Sequence, residues 1–135
     1  MNPKQFLVWG GLILVVLGVL GLVGLIGPTA EDSIFGSAWW FDGGENWAHL
    51  LLGVVALLAS RVLGAGMQKW LVALVGVLGL VVAVYGFVVG ESFLGANLEN
   101  PADNILHLVV GLWALWAARR GAPTVAMMPP QGQAM

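Results

Sequence analysis

Polar positions in this chain are confined to a few short stretches, and four apolar segments run between them: residues 6–26, 47–63, 70–89 and 105–118, the last starting as early as Pro101 on a wider reading. Each is near the ~17–25 residues that a helix needs to cross the hydrocarbon of a bilayer. None alternates polar with apolar residues as a barrel strand does, so the pattern predicts helices, which satisfy their backbone hydrogen bonds internally. Lys4 precedes the first run and Pro28-Thr29-Ala30 follows it, as in a secretory signal. The run is longer than the ~7–15 residues of a signal core, and is read as the first span.

Composition sharpens this into a membrane protein. Of 135 residues, 59% are hydrophobic and 9% charged, against about 25% charged in soluble domains. Cysteine is absent, which excludes disulfides, thiolate metal sites and cysteine nucleophiles. The net charge of −2 and the lack of a basic cluster argue against a nucleic-acid partner. Membrane lipids are the expected surroundings.

The charges also orient the spans. Four crossings place Lys4, Arg61, Lys69, Arg119 and Arg120, every basic residue, on one side. Glu31, Asp32, Asp42, Glu45, Glu91, Glu99 and Asp103, every acidic residue, fall on the other. Short loops rich in Lys and Arg stay in the cytoplasm, so both termini are expected there, in a bacterial inner membrane. Trp9, Trp70 and Trp116 lie towards the basic side and Trp39, Trp40 and Trp47 towards the acidic side, where interfacial aromatic belts belong.

The hexapeptide GVLGLV occurs at residues 18–23 and again at 76–81, an offset of 58. At the same offset Glu45-Asn46 meets Asp103-Asn104, His49-Leu50 meets His107-Leu108, and Gly53, Ala56, Ala59 and Arg61 meet Gly111, Ala114, Ala117 and Arg119. This predicts an all-α membrane protein of four transmembrane helices, built from two tandem hairpins at about 6–63 and 64–120. Each hairpin holds two spans, so the repeats enter the membrane in the same direction, related by an axis along its normal. Residues 1–120 form the transmembrane domain. The tail at 121–135 has three prolines and no charge, and is expected to be disordered alone.

The duplicated positions assign roles. Asp42 and Asn100 are placed as N-caps, with Glu45 and Asp103 three residues later where a carboxylate can reach back, and Pro101 at the first helical position. Asn46, His49, Gly53, Ala56 and Ser60 fall on one helix face, and Asn104, His107, Gly111, Ala114 and Ala118 on its counterpart. In lipid, polar and small side chains face neighbouring helices. Asn46, His49, Asn104 and His107 thus form a structural polar stripe.

Two readings of the histidines stay open. His49 and His107 share one depth near the acidic side, and each can hydrogen-bond an Asn or a backbone carbonyl on a neighbouring helix. Alternatively they form a cofactor-binding pair that holds haem b, another porphyrin or a pigment. A metal ion is disfavoured, since two histidines without inward carboxylates or thiolates make a poor structural metal site.

The chain also resembles a bacterial four-span membrane protein family with no established activity. The resemblance rests on the turn Gly21-Leu22-Val23-Gly24-Leu25-Ile26-Gly27-Pro28, an Asn-x-x-His-Leu motif at residues 46–50, and Ala-Asp-Asn-x-Leu-His-Leu at residues 102–108. It covers nearly the whole chain up to Arg120 and implies the four-span architecture. Function follows by elimination. The spans offer no nucleophile with an adjacent base, which argues against an enzyme, and no midplane charge or broken helix, which argues against a transporter. A structural or accessory role without a cofactor is expected, as a subunit or stabiliser of a membrane assembly or through self-association.

Overall fold

In the computed structural model the described residues are 1–90 and 92–120. The tail at 121–135, the expectation of its disorder, and Glu91 lie outside the described residues. Among the described residues the elements are all helical apart from one small ribbon: α1 Pro3–Leu22, α2 Gly43–Val62, α3 Ala65–Val88 and α4 Ala102–Arg119, with antiparallel strands β1 Ser92–Phe93 and β2 Ala96–Asn97 between α3 and α4. Two helices, α1 and α3, are long and apolar enough to cross a membrane. The other two open on polar turns, Gly-Gly-Glu-Asn and Ala-Asp-Asn.

Local chemistry sets most of the helix boundaries. At the start of α1, Asn2 accepts from the Gln5 amide at 2.9 Å while the Gln5 side chain accepts from the Asn2 amide at 3.0 Å. Asp42 and Glu45 form the same reciprocal box on α2, at 2.8 and 3.0 Å. These bonds satisfy backbone donors that a helix start leaves open. The other end of α2 is closed by Gln68 from α3, whose buried amide donates to the carbonyls of Ser60 and Leu63 at 3.1 and 2.8 Å.

The start of α4 departs from expectation. Pro101 itself takes the cap position, no side chain caps the helix, and Asn100 stands exposed one residue too early. Proline has no N–H, so a carboxylate reaching back finds no donor at that position. Asp103 instead accepts from the Glu99 amide, four residues upstream, at 3.1 Å. Asp103 therefore organises this helix start, and Asn100 does not cap it.

Helices α1 and α2 pack closely as one hairpin and α3 and α4 as the other, while α1 touches α3 and α4 more lightly. A core of Phe6, Leu7, Ala59, Val72, Ala114, Ala117 and Ala118 joins the hairpins at the basic end. There the Trp113 ring meets Phe6 edge-on at 4.7 Å. Within each hairpin the contact runs along small residues. A Cβ added at Gly53 would lie 2.7 Å from the Gly11 carbonyl oxygen, and one at Gly111 would lie 3.0 Å from the Gly76 carbonyl oxygen. Most large apolar side chains point outward instead, among them Leu51, Leu52 and Val55 of α2 and Leu74, Val77 and Leu78 of α3.

The buried positions of the two hairpins correspond, though not in a single frame. Buried Glu45, Asn46, Gly53, Ala59 and Ser60 of α2 recur in α4 as Asp103, Asn104, Gly111, Ala117 and Ala118, an offset of 58. Buried Leu7, Gly11, Gly18 and Gly21 of α1 recur in α3 as Val72, Gly76, Ala83 and Gly86, an offset of 65. The hexapeptide at residues 18–23 and 76–81 is therefore out of packing register: Gly18 lies against Asn46 and Leu50, whereas Gly76 lies against Leu115. The seven residues are accounted for between the helices. The first connector, 23–42, has 20 residues, and the second, 89–101, has 13.

Candidate functional site

The two connectors and the starts of α2 and α4 meet at the acidic end, where most of the chemically active side chains gather. Ser33 shapes the first connector, its hydroxyl donating to the Trp39 carbonyl at 2.7 Å and accepting from the Phe35 amide at 3.1 Å. Farther along, Phe41 passes close over Gly27, where an added Cβ would sit 2.0 Å from the Phe41 carbonyl oxygen. This close approach fixes the direction from which the chain enters α2. It delivers Trp39 to the second hairpin and Phe41 to the first histidine.

Asp103 is 2% exposed and joins the hairpins. Its Oδ1 accepts from the Trp39 indole N–H at 2.9 Å, while Oδ2 takes the Glu99 amide. In the other direction, the Asn97 amide on β2 donates to Asp42 Oδ2 at 3.0 Å. Each connector thus binds a carboxylate at the start of a helix in the opposite hairpin. Charge-assisted bonds of this kind are stronger than neutral ones.

Glu45 and Glu99 are also buried. Glu45 lies within electrostatic reach of Asp42, Glu99 and Asp103. The Asn97 side-chain amide donates to Glu99 Oε1, and Glu99 Oε2 is buried without a partner. Burial, and after it the Asp103 carboxyl alongside, push the Glu99 carboxyl from 4.5 up to about 8. Every lysine and arginine belongs to the opposite end of the helices, so no cation relieves this crowding.

The histidines sit one turn further in and are half-buried. His49 Nδ1 lies 2.8 Å from the Glu45 carbonyl oxygen, and His107 Nδ1 lies 2.8 Å from the Asp103 carbonyl oxygen. A carbonyl only accepts, so Nδ1 carries the proton in both rings and Nε2 is left uncommitted. Each bond closes within its own helix, four residues back, rather than reaching a neighbouring helix. The surroundings of the two rings differ, for Phe41 stacks on His49 with centroids 4.6 Å apart and planes 16° apart.

Asn46 and Asn104 lie on the same stripe, 1% and 0% exposed, each pressed against a glycine of its hairpin partner, Gly21 or Gly86. Asn46 donates to the Phe41 carbonyl at 3.4 Å, but its Oδ1 has no partner, and neither does either amide atom of Asn104. The structure therefore brings Asp42, Glu45, Asp103, His49 and His107 to one end and turns the asparagines towards the glycines.

Sequence reasoning missed Trp39, Asn97 and Glu99. Glu99 could have been found, because it stands four residues before Asp103, within reach of a carboxylate turning back. Trp39 carries no such signal, since its partner is 64 residues away. Among the described residues, no three His, Asp or Glu side chains group in a way that could hold a metal ion. No family model, curated protein or solved structure matches this chain.

Proposed function

We propose that this chain is a four-span integral membrane protein of a bacterial inner membrane, with both termini cytoplasmic and a structural, non-enzymatic role as a subunit or stabiliser of a membrane assembly. One observation carries the reading: the helices pack through small residues and turn their large apolar side chains outward around the molecule. That surface is stable against acyl chains or other apolar helices and costly in water. The segregation of charge supports all four helices as spans, including the less apolar α2 and α4. The matching buried positions support a duplicated hairpin whose first connector is seven residues longer, in keeping with the resemblance to four-span bacterial proteins.

Native gel electrophoresis of membranes solubilised in mild detergent tests the assembly role. Migration in a discrete complex larger than one chain is expected, with other subunits or further copies as the partner. Migration as a single chain under every mild condition would refute an accessory role.

A second reading is favoured by the uncommitted Nε2 atoms. A ligating histidine commonly donates its other ring N–H to a carbonyl or carboxylate, as His49 and His107 do. On this reading the pair holds haem b or another porphyrin-like pigment. An absorption band near that of haem, lost in His49→Leu or His107→Leu protein, would replace the structural reading of the histidines.

A further inference from the structure

The acidic end joins the two hairpins through bonds between elements far apart in sequence. Trp39 of the first connector reaches Asp103 of α4, and Asn97 of the second connector reaches Asp42 at the start of α2. Glu99 lies behind these bonds, on the segment that carries Asn97 and leads into α4. Its carboxyl is buried, one oxygen takes the Asn97 amide, and the Asp103 carboxyl and the Trp40 backbone lie alongside.

The titratable groups that bear on it are Asp103 alongside and Glu45 at the start of α2, which in turn lies near Asp42. His49 and His107 lie one turn deeper, each with Nδ1 committed to a backbone carbonyl. In the first connector, Asp32 is exposed and takes the Thr29 hydroxyl at 2.9 Å, and its neighbour Glu31 is exposed too.

We propose that this end is a proton-operated latch: with Glu99 protonated, the connectors stay joined through Trp39–Asp103 and Asn97–Asp42, and loss of that proton parts them. A protonated Glu99 has a hydroxyl to donate and adds no charge to the group. An ionised Glu99 places a buried charge against the Asp103 carboxyl, in a site that no lysine or arginine reaches. The second connector carries Glu99, lies outside the helices, and returns that charge to water most readily by swinging out. Its departure withdraws Asn97 from Asp42 and loosens the turn that positions Asp103 for Trp39.

The direction in pH follows from the two states. Glu99 titrates near 8 when buried in the joined state and near 4.5 once exposed. The joined state is fully favoured below about 4.5, loses ground steadily as pH rises, and is at its least favourable above about 8.

Because the chain lacks cysteine, Ser37→Cys and Leu94→Cys, both at exposed positions, place one nitroxide label on each connector. Pulsed electron–electron resonance in detergent micelles reads the distance between them from pH 4.5 to 9. A single short distance at pH 4.5 is expected to give way to a longer, broader distribution at pH 9. The same labels in Glu99→Gln protein are expected to keep the short distance throughout. A parent distance that stays constant over the range would overturn the latch, as would a Glu99→Gln protein that opens like the parent. Loss of helical circular dichroism in step with the distance change would equally refute it, by showing general unfolding instead.

Discussion

Replacing Gly86 or Gly21 by alanine probes the packing most directly. At Gly21 the new Cβ would stand 1.7 Å from Asn46 Oδ1, and at Gly86 it would stand 1.8 Å from Asn104 Oδ1. Both gaps fall about 2 Å short of the ~3.5 Å at which such atoms begin to attract. Neither asparagine can swing into solvent, being 1% and 0% exposed. The helices must separate or the amide must leave its rotamer, and overpacking of this kind costs about 1–3 kcal/mol. Removing the amide as well should restore most of the loss. Asn46 gives up only a 3.4 Å bond and Asn104 gives up none, and interhelical polar contacts in membranes average about 0.6 kcal/mol. Gly21→Ala/Asn46→Ala and Gly86→Ala/Asn104→Ala should therefore show coupling of about 1–2 kcal/mol each. Equilibrium unfolding in mixed micelles, followed by circular dichroism, measures both cycles. Gly79→Ala is the control, since it is the partner of Gly21 at an offset of 58. Its added Cβ would meet Gly111 Cα at 3.1 Å and the His107 carbonyl oxygen at 3.2 Å, not Asn104. Coupling of Asn104 to Gly79 rather than to Gly86 would refute the register of 65 residues between α1 and α3.

Further outcomes follow from single contacts. For topology, Ser37→Cys should react with an impermeant maleimide in intact cells and Gly66→Cys only after lysis; the reverse pattern would invert the orientation. Gly66 is preferred for the opposite side because Ser60, at the end of α2, is only 1% exposed. Gln68→Leu strips the α2 end of its donor and should cost about 1–3 kcal/mol in the unfolding assay, whereas a loss below about 0.5 kcal/mol would mean that water serves those carbonyls equally well. Trp39→Phe removes the donor to Asp103 and should cost about 1.5–3 kcal/mol at pH 5, with little further loss when combined with Asp103→Asn; additive losses would show that the two side chains act separately.

The helices were legible because hydrophobic runs bounded by charge are a strong signal, and Asp42 with Glu45 was legible because a capping box lies within four residues. The register of the first helices was not. A heptad shift turns an α-helix by nearly two full turns, about 20° short, so small residues fall on small residues again. GVLGLV at the wrong offset of 58 therefore looks as good on a helix face as the correct offset of 65. What separates the two frames is which residue each glycine meets across the hairpin, and that is a tertiary fact. The bond between Trp39 and Asp103 was invisible for the same reason. The bonds from each histidine to its own helix were available from the spacing, since a carbonyl four residues back lies beneath every helical side chain.

The likeness of the two hairpins breaks down in the connectors, and the way it does so is informative. Along the helices, equivalent positions hold the same or similar residues: glycine on glycine, asparagine on asparagine, histidine on histidine. In the connectors they do not. At the place where the first hairpin has Phe41, stacked on His49, the second has Glu99, whose buried carboxyl lies beside Asp103. The amide that donates to Phe41 from Asn46 has no partner in Asn104. Packing through small residues demands the same thing of both hairpins, so it preserves their likeness. A buried acid without a counter-ion is costly to keep, and a scaffold would be served better by a second aromatic ring at that position. Its presence where both connectors bond to the opposite hairpin is what the proposed latch accounts for, since packing of the helical stripe does not require it.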